Sequence, residues 1–295
     1  MRVRNILIVI AVLVLLFFSF IAGMGCGLLI SGEDGFSGSD KIAVLKIEDV
    51  ILEDQQYLES IKKIKEDDQI KAVVLRIDSP GGAVGPSQEI YSELIKLNKI
   101  KPVIASIGSV GASGGYYIAC AADKIFANPG SITGSIGVIA EFASYEKLLE
   151  WAKVNVEVIK SGKYKDVGSP FREMTEEDKE YMRGLINNVY TQFKNAVAES
   201  RHMDMAEVDK IADGKIFSGE QAKQLKLIDE IGTINDAVDL AAKMTGITGQ
   251  PNLVYYPKKK SQFMELLQSK LNIPGITSMP SKYGFGVFYL IDIIN

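Results

Sequence analysis

An almost wholly apolar helix constrains this fold more than any other feature of the sequence. Residues 116–122 carry no charge, and a helix that is apolar on all sides must be buried on all sides. The apolar, β-branched residues 102–107 precede it and predict a buried strand. Between them lies a turn of small residues, 108–115, which places Ser113 where the helix begins. The stretch therefore predicts a strand and a helix at the centre of one core, joined through Ser113.

Strands and helices alternate along the rest of the chain. Short, continuous apolar strands are predicted at 42–47, 72–78 and 124–127, and helices at 57–66 and 84–97. Such strands are typical of a largely parallel sheet covered by helices, so the predicted fold class is α/β with repeated β-α-β units. Further along, the pattern predicts a strand at 154–159, a polar loop at 160–172 and helices at 145–152, 175–201, 205–212, 219–226 and 234–244.

Two Gly-rich turns, 79–82 and 108–115, follow predicted strands directly. Ligands of α/β sheets bind outside the carboxyl ends of the strands, so both turns are expected to meet in one cleft. Ser113 suits a nucleophile there, because small residues admit a substrate backbone and a helix N-terminus favours an oxyanion. It equally suits a helix N-cap, for which Ser is a preferred residue. The residues of this stretch leave both interpretations open.

Composition excludes several classes of protein. The chain is 47% hydrophobic and 24% charged with a net charge of −4, which is typical of a globular protein and not of a nucleic-acid-binding one. The two cysteines, Cys26 and Cys120, both lie in apolar segments, so no disulfide between them is expected. Neither CxxC nor HExxH spacing occurs, and no metal or cofactor is expected.

The N-terminus predicts a membrane anchor. Arg2 and Arg4 precede an uncharged, largely apolar run over residues 5–32, which is longer than the roughly 20 residues that a spanning helix needs. Positive charge in front of the span favours a cytoplasmic N-terminus, with the remainder of the chain on the far side. A cleaved signal peptide is the alternative, as is a lipoprotein signal ending at Cys26, although no Leu stands three residues before that cysteine.

A serine nucleophile needs a base, and the usual base is histidine. The single histidine, His202, lies in a polar segment between two predicted helices, where an exposed connection is expected. A lysine or a carboxylate is therefore the expected base. Lys160, Lys163 and Lys165 share the loop after the predicted strand 154–159, and they also fit a solvated basic loop. A lysine serves as base only if its pKa falls from about 10.4 toward about 7–8.

Four motifs follow one another in the order of a known family. Together they resemble the short form of the signal peptide peptidase A family (peptidase family S49), bacterial membrane-anchored Ser-Lys proteases with the Clp protease/crotonase fold. The resemblance covers residues 42–244. The motifs are Asp78-Ser79-Pro80-Gly81-Gly82, Gly111-Ala112-Ser113-Gly114-Gly115-Tyr116-Tyr117, Asn128-Pro129-Gly130-Ser131-Ile132-Thr133-Gly134-Ser135-Ile136-Gly137 and Ser161-Gly162-Lys163-Tyr164-Lys165-Asp166.

The resemblance assigns roles to five residues. It implies that Ser113 is the nucleophile, Lys165 the general base and Ser135 the hydroxyl that holds the lysine amine. It also implies that the N–H groups of Gly82 and Gly114 form the oxyanion hole. Lys163 stays an alternative for the general base. Clp protease itself uses a histidine soon after its serine, which this chain lacks, and crotonase-type enzymes have no need of this serine and lysine.

The resemblance also implies a domain plan and a function. The expected parts are a cytoplasmic N-terminus with anchor (1–32), a linker (33–41), a Ser-Lys protease domain (42–257) and a C-terminal extension (258–295). The expected protein is a single-pass protein of the cell membrane with its catalytic domain on the extracytoplasmic side. It is expected to be an ATP-independent serine endopeptidase that degrades cleaved signal peptides and other apolar peptides. Its copies are expected to form a ring in which neighbouring protomers complete each active site. The alternatives are a related protease that trims another membrane protein and a catalytically silent, membrane-anchored scaffold.

The apolar tail over residues 283–295 has two interpretations. An exposed tail of this composition would aggregate unless it were covered. It is either a final strand packed on the core or on a neighbouring protomer, or an extended pseudo-substrate in the substrate groove. The sequence does not decide between them.

Overall fold

The computed structural model describes residues 13–19, 40–258 and 288–290. The chain divides into two units, Met1–Ser39 and Asp40–Asn295. In the first unit, residues 13–19 form helix α1, whose apolar side chains are exposed. No helix within the described residues is both long enough and apolar enough to cross a membrane. The predicted anchor outside α1, nearly all of the predicted linker and most of the C-terminal extension lie outside the described residues.

The second unit follows the predicted alternation of strands and helices. Its elements in chain order are β1 (Lys41–Glu48), α2 (Gln55–Glu66), β2 (Ile70–Ser79), β3 (Gly81–Ala83), α3 (Val84–Asn98), β4 (Val103–Ala112), α4 (Gly114–Ala119), β5 (Lys124–Ala127), β6 (Ile132–Gly134), α5 (Glu146–Trp151), α6 (Glu176–Arg201), α7 (Met205–Asp209), β7 (Ile216–Ser218), α8 (Gly219–Gln224), β8 (Glu230–Ile231), α9 (Ile234–Thr245), β9 (Asn252–Tyr256) and β10 (Phe288–Leu290).

A largely parallel sheet forms the centre of this unit. Its main path runs β7-β6-β4-β2-β1-β9, and β5 pairs with both β4 and β8. Each of these pairings is parallel except β6 with β7. Helix α2 connects β1 to β2 and helix α3 leads into β4, which is the expected β-α-β arrangement. The predicted α/β class with a largely parallel sheet is confirmed.

Both faces of the sheet are buried, since neighbouring residues of a strand point to opposite sides. On β1, Ala43 and Leu45 join a core formed with α2, α3, α4 and α6. Ile42 and Val44 point to the other side, where α9 covers the sheet. This double burial explains why the strands read as continuous apolar runs.

Helix α4 is buried along its whole length, as its composition predicted. The Tyr117 ring lies between those of Tyr91 on α3 and Phe193 on α6, with centroids 4.7 and 5.1 Å away. The Tyr116 hydroxyl donates to the carbonyl of Leu227 at 2.7 Å, so its polar atom is satisfied inside the core. The helix that follows Ser113 is therefore fixed on several sides.

Three local predictions were wrong. The small-residue turn at 108–115 is mostly strand, because β4 continues through Ala112 and pairs Gly111 with Ser79. The turn at 79–82 contains strand β3. The strand predicted at 154–159 does not form, and all of its side chains are exposed. Alternating Val residues favour a strand only where a partner edge is available, and within the described residues none pairs with this segment.

Candidate active site

Ser113 is held in a strained backbone conformation between β4 and α4. Its angles are φ 52° and ψ −119°, a combination that non-glycine residues rarely adopt and that costs about 1–3 kcal/mol. Its N–H donates to the carbonyl of Gly134 at 2.8 Å. Its hydroxyl makes no capping hydrogen bond to α4, so the structure does not support the alternative in which Ser113 is only a helix N-cap. Strain of this kind concentrates at functional sites, which favours the nucleophile interpretation.

Ser135 lies beside the nucleophile candidate. Strand β6 pairs with the end of β4, with Gly134 opposite Ala112, and Ser135 follows directly. Ser135 also has a positive φ, of 50°, and its N–H donates to Lys215 O at 2.8 Å. Both serines are buried, and their backbones are linked through Gly134. The structure thus brings two of the predicted site residues together.

Strand β3 and the start of α4 approach each other closely at Gly82 and Gly114, the two glycines that the resemblance assigns to an oxyanion hole. A Cβ added at Gly114 would lie 3.2 Å from the Gly82 nitrogen, so the two glycines are in contact. A Cβ at Gly82 would lie 2.0 Å from the carbonyl oxygen of Ile51, so only glycine fits there. On that side Ile51 N–H donates to Gly81 O at 2.9 Å and Ala83 N–H donates to Ile51 O at 2.7 Å. Since neighbouring peptides of a strand point to opposite edges, the Gly82 N–H faces the other edge of β3.

Ser79 is a buried residue of this site to which the sequence analysis gave no role. Its hydroxyl donates to Asp49 O at 2.6 Å and accepts the N–H of Gly81 at 3.1 Å. The hydroxyl thereby joins β2, the segment before Ile51, and the first residue of β3. A serine directly before Pro-Gly-Gly at the end of a predicted strand was the available signal, because such hydroxyls bind nearby backbone groups in turns.

The edge of β3 that faces away from Ile51 pairs with a segment of the C-terminal tail. Strand β10 pairs antiparallel with β3, with Tyr289 opposite Gly82 and Leu290 opposite Gly81. The peptide of Gly82 faces this partner, so β10 lies on the edge that presents the proposed oxyanion donor. The remaining residues of 259–295 lie outside the described residues.

Lys165 does not reach the serines within the chain. It is exposed on the loop 160–172, and no hydrogen bond joins it to Ser113 or Ser135 in the part of the chain that the structure describes. The Ser79–Gly82 and Gly108–Gly115 segments converge as predicted, whereas the predicted base stands apart from them.

Lys163, the alternative base, is already paired. Its amine binds the Glu177 carboxylate at the start of α6, and this hydrogen bond raises the pKa of Lys163. The Tyr164 hydroxyl donates to the same carboxylate at 2.8 Å, and its ring stacks on Tyr181 with centroids 4.9 Å apart. This pairing opposes the deprotonation that a general base needs, and it is an exposed ion pair, with the two side chains 63% and 53% accessible.

His202 is exposed at the C-terminal cap of α6, with φ 53° and its N–H bonded to Ala198 O. This position agrees with the predicted exposed connection. Within residues 13–19 and 40–258, no cluster of three or more His, Cys, Asp or Glu side chains could hold a metal ion.

The second unit is an α/β domain whose largely parallel sheet holds a strained serine between a strand end and a buried helix. The profile of the "Clp protease" family matches residues 47–133, and that of "Peptidase family S49" matches residues 95–248. The chain belongs to peptidase family S49, and it is a protease of that family.

Curated relatives agree with this assignment. Over 265 residues the chain is 38% identical to "Putative protease MJ0651" of Methanocaldococcus jannaschii, covering 83% of this chain and 85% of the relative. Over 202 residues it is 40% identical to "Putative signal peptide peptidase SppA" of Enterococcus faecium, covering 68% of this chain and 59% of the relative. Over 225 residues it is 34% identical to "Serine protease SPPA, chloroplastic" of Arabidopsis thaliana, covering 76% of this chain and 32% of the relative.

Proposed function

We propose that this protein is a serine endopeptidase with Ser113 as nucleophile and Lys165 as general base. The observation that carries the proposal is the strained, 1% exposed Ser113, which directly precedes Gly114 where that glycine contacts Gly82 of β3. A serine that neither caps its helix nor relaxes its backbone fits a group positioned for attack.

The proposed reaction follows acyl transfer. The Ser113 oxygen attacks the peptide carbonyl carbon while Lys165 accepts the hydroxyl proton, and the N–H groups of Gly82 and Gly114 bind the oxyanion. The intermediate collapses when Lys165 returns the proton to the leaving amine, which leaves an acyl-serine. Water then attacks the acyl group, gives one proton to Lys165 and releases the acid, with the proton returning to the serine oxygen. Ser135 holds the lysine amine close to the nucleophile.

A second copy of the chain is proposed to bring the base to the nucleophile. The segment 145–171 exposes large apolar side chains to solvent, including Trp151 at 81% and Ile159 at 94%. Apolar surface of this kind marks an interface with another protein. Because the same segment carries Lys165, docking it on a neighbouring protomer would bury the apolar side chains and complete the site. A ring of such copies is the proposed assembly.

The proposed substrates are extended apolar peptides, and above all cleaved signal peptides. The edge of β3 accepts an extended chain by antiparallel pairing, as its pairing with β10 illustrates. Apolar peptides of this type arise at membranes, where the proposed N-terminal anchor over residues 1–32 would hold the enzyme. Arg2 and Arg4 before the uncharged run support a cytoplasmic N-terminus and an extracytoplasmic catalytic unit.

Labelling with a fluorophosphonate tests the chemistry. In that reaction the Ser113 oxygen forms a bond to phosphorus, fluoride leaves, and the hydroxyl proton goes to the base. The wild-type full chain should label, whereas Ser113→Ala and Lys165→Ala should not.

Lys163→Ala is the matched control, because it removes a lysine of the same loop whose amine is bound to Glu177. It should label at close to the wild-type rate. A silent wild type in its assembled form would favour the scaffold alternative, and a silent Lys163→Ala beside an active Lys165→Ala would show that the base is Lys163.

A further inference from the structure

Arg172 connects the end of the loop 160–172 to helix α6. Its Nε lies 2.8 Å from Asp166 Oδ2 and its Nη2 donates to Asp166 Oδ1 at 2.9 Å, a two-pronged contact. Its Nη1 lies 2.6 Å from Asp178 Oδ2. Asp178 also accepts the N–H of Thr175 at 3.1 Å as part of the N-terminal cap of α6. One guanidinium therefore joins two carboxylates from different parts of the chain.

This contact is better shielded than an ordinary surface ion pair. The Asp166 and Asp178 side chains are only 11% and 6% exposed. Bidentate arginine–carboxylate pairs in a network are the surface ion pairs that fix geometry, whereas isolated exposed pairs contribute little. Helix α6 is itself anchored in the core through Phe193 and Val197, so Asp178 offers a rigid point of attachment.

The contact fixes the backbone next to Lys165. Asp166 follows Lys165 in the chain, and its carbonyl accepts hydrogen bonds from the N–H of Ser169 at 3.0 Å and from Arg172 Nη2 at 3.4 Å. The N–H of Lys165 donates to Gly162 O at 3.2 Å. The loop is therefore folded on itself around the Lys165-Asp166 pair, and Arg172 closes that fold.

We propose that Arg172 is a positioning residue for Lys165, acting through Asp166 and Asp178. It sets where the exposed segment presents the Lys165 amine. The inference rests on the proposed function, because it needs Lys165 to be the general base.

Arg172 also keeps the Asp166 carboxylate occupied. Hydrogen bonds from Arg172 and then Lys160 hold the pKa of Asp166 well below its usual range, so the group stays ionised. Without the guanidinium, this carboxylate would lose its main partner beside Lys165. It could then pair with the Lys165 ammonium and oppose its deprotonation. The other charged groups that face this loop are Lys160 and Lys163 within it, Glu177 and Asp178 on α6, and Glu173. Glu146 and Lys147 of α5 contact Glu173.

The test measures fluorophosphonate labelling of the assembled full chain against probe concentration and pH. Arg172→Gln should lower the maximal labelling rate about 10- to 100-fold at an unchanged half-saturating probe concentration. It should also move the acid limb of the pH profile upward by about one pH unit. Arg172→Lys should recover part of the rate. Adding Asp166→Asn to Arg172→Gln should return the acid limb of the pH profile to its wild-type position, while the maximal labelling rate stays low.

Arg183→Gln is the matched control, since Arg183 forms an exposed ion pair with Glu180 on the same helix. It should keep the wild-type rate and profile. An Arg172→Gln variant with the wild-type labelling rate and the wild-type acid limb of the pH profile would overturn the inference. So would a lowered labelling rate with an unmoved acid limb in both Arg172→Gln and Arg172→Lys, provided that both variants melt like the wild type. If Lys165→Ala labels normally, the proposed function fails; if Lys165→Ala is silent and Arg172→Gln is normal, only the positioning role fails.

Discussion

Gly82→Ala should abolish most of the peptidase activity without unfolding the protein. The added Cβ would lie 2.0 Å from the Ile51 carbonyl oxygen, about 1.4 Å short of ordinary van der Waals contact. The obstacle is backbone that is itself bonded to Gly81 and Ala83, so β3 must move rather than a side chain. A displacement of this size withdraws one N–H from the proposed oxyanion site. Loss of one such donor costs about 100- to 1000-fold in turnover, or about 2.7–4 kcal/mol.

Gly85→Ala is the matched control for this change. Gly85 lies three residues further on in α3, and a Cβ there meets nothing within 4 Å. That variant should keep wild-type turnover and melt at an equal or higher temperature, because alanine is the better helix former. The assay compares turnover of an apolar peptide with thermal unfolding for both variants. A folded Gly82→Ala protein that retains a third or more of the wild-type turnover would refute the role given to β3.

Three further predictions concern pH and the tail. Wild-type turnover should rise into the mildly alkaline range as the Lys165 amine deprotonates, and a flat profile from about pH 6 to 10 would contradict a lysine base. The Arg172 guanidinium lowers the pKa of Asp178 to about 2. The stability that the ionised Asp178 contributes is therefore present above its unfolded-state pKa of about 3.9 and is lost as the pH falls toward 2. Asp178→Asn should reduce this acid dependence of the melting temperature, and an unchanged dependence would assign the effect to other groups. Deleting residues 283–295 should raise turnover, because β10 occupies the β3 edge that substrate would use; a truncated protein that stays assembled with unchanged turnover, or that dissociates, would give the tail a structural role.

Periodicity and composition predicted the sheet and most of its helices because burial imposed the pattern. The strands β1, β2 and β4 are covered on both faces, so their apolar runs had no competing explanation. Helix α6 was predicted with nearly its observed bounds, and its Thr175 and Asp178 form a reciprocal cap of a kind that can be read from sequence. The strands β7, β8 and β9 were missed. They are two to five residues long, and their pairing depends on edges supplied by distant parts of the chain.

The candidate site likewise has features that the sequence pattern predicts and features that depend on distant parts of the chain. The convergence of the two Gly-rich segments followed from the parallel sheet, because strand ends of one direction meet at one edge. The positive φ of Ser113 and Ser135 could not be derived, since neither residue type demands it and the neighbouring strands impose it. The choice of Lys165 over Lys163 depends on family register, since periodicity and composition do not distinguish two lysines of one exposed loop.

The two halves of the proposed dyad differ in how they are held, and this difference bears on regulation. Ser113 is fixed by the sheet and by the buried helix α4, so its half of the site exists in each chain. Lys165 is carried by an exposed apolar segment that is internally braced but has little cover of its own. If a neighbouring copy supplies that cover, turnover per chain must rise with protein concentration until assembly saturates. Anchoring at a membrane would raise the local concentration and favour the assembled state, so the same segment would restrict proteolysis to the membrane, where the proposed apolar substrates arise.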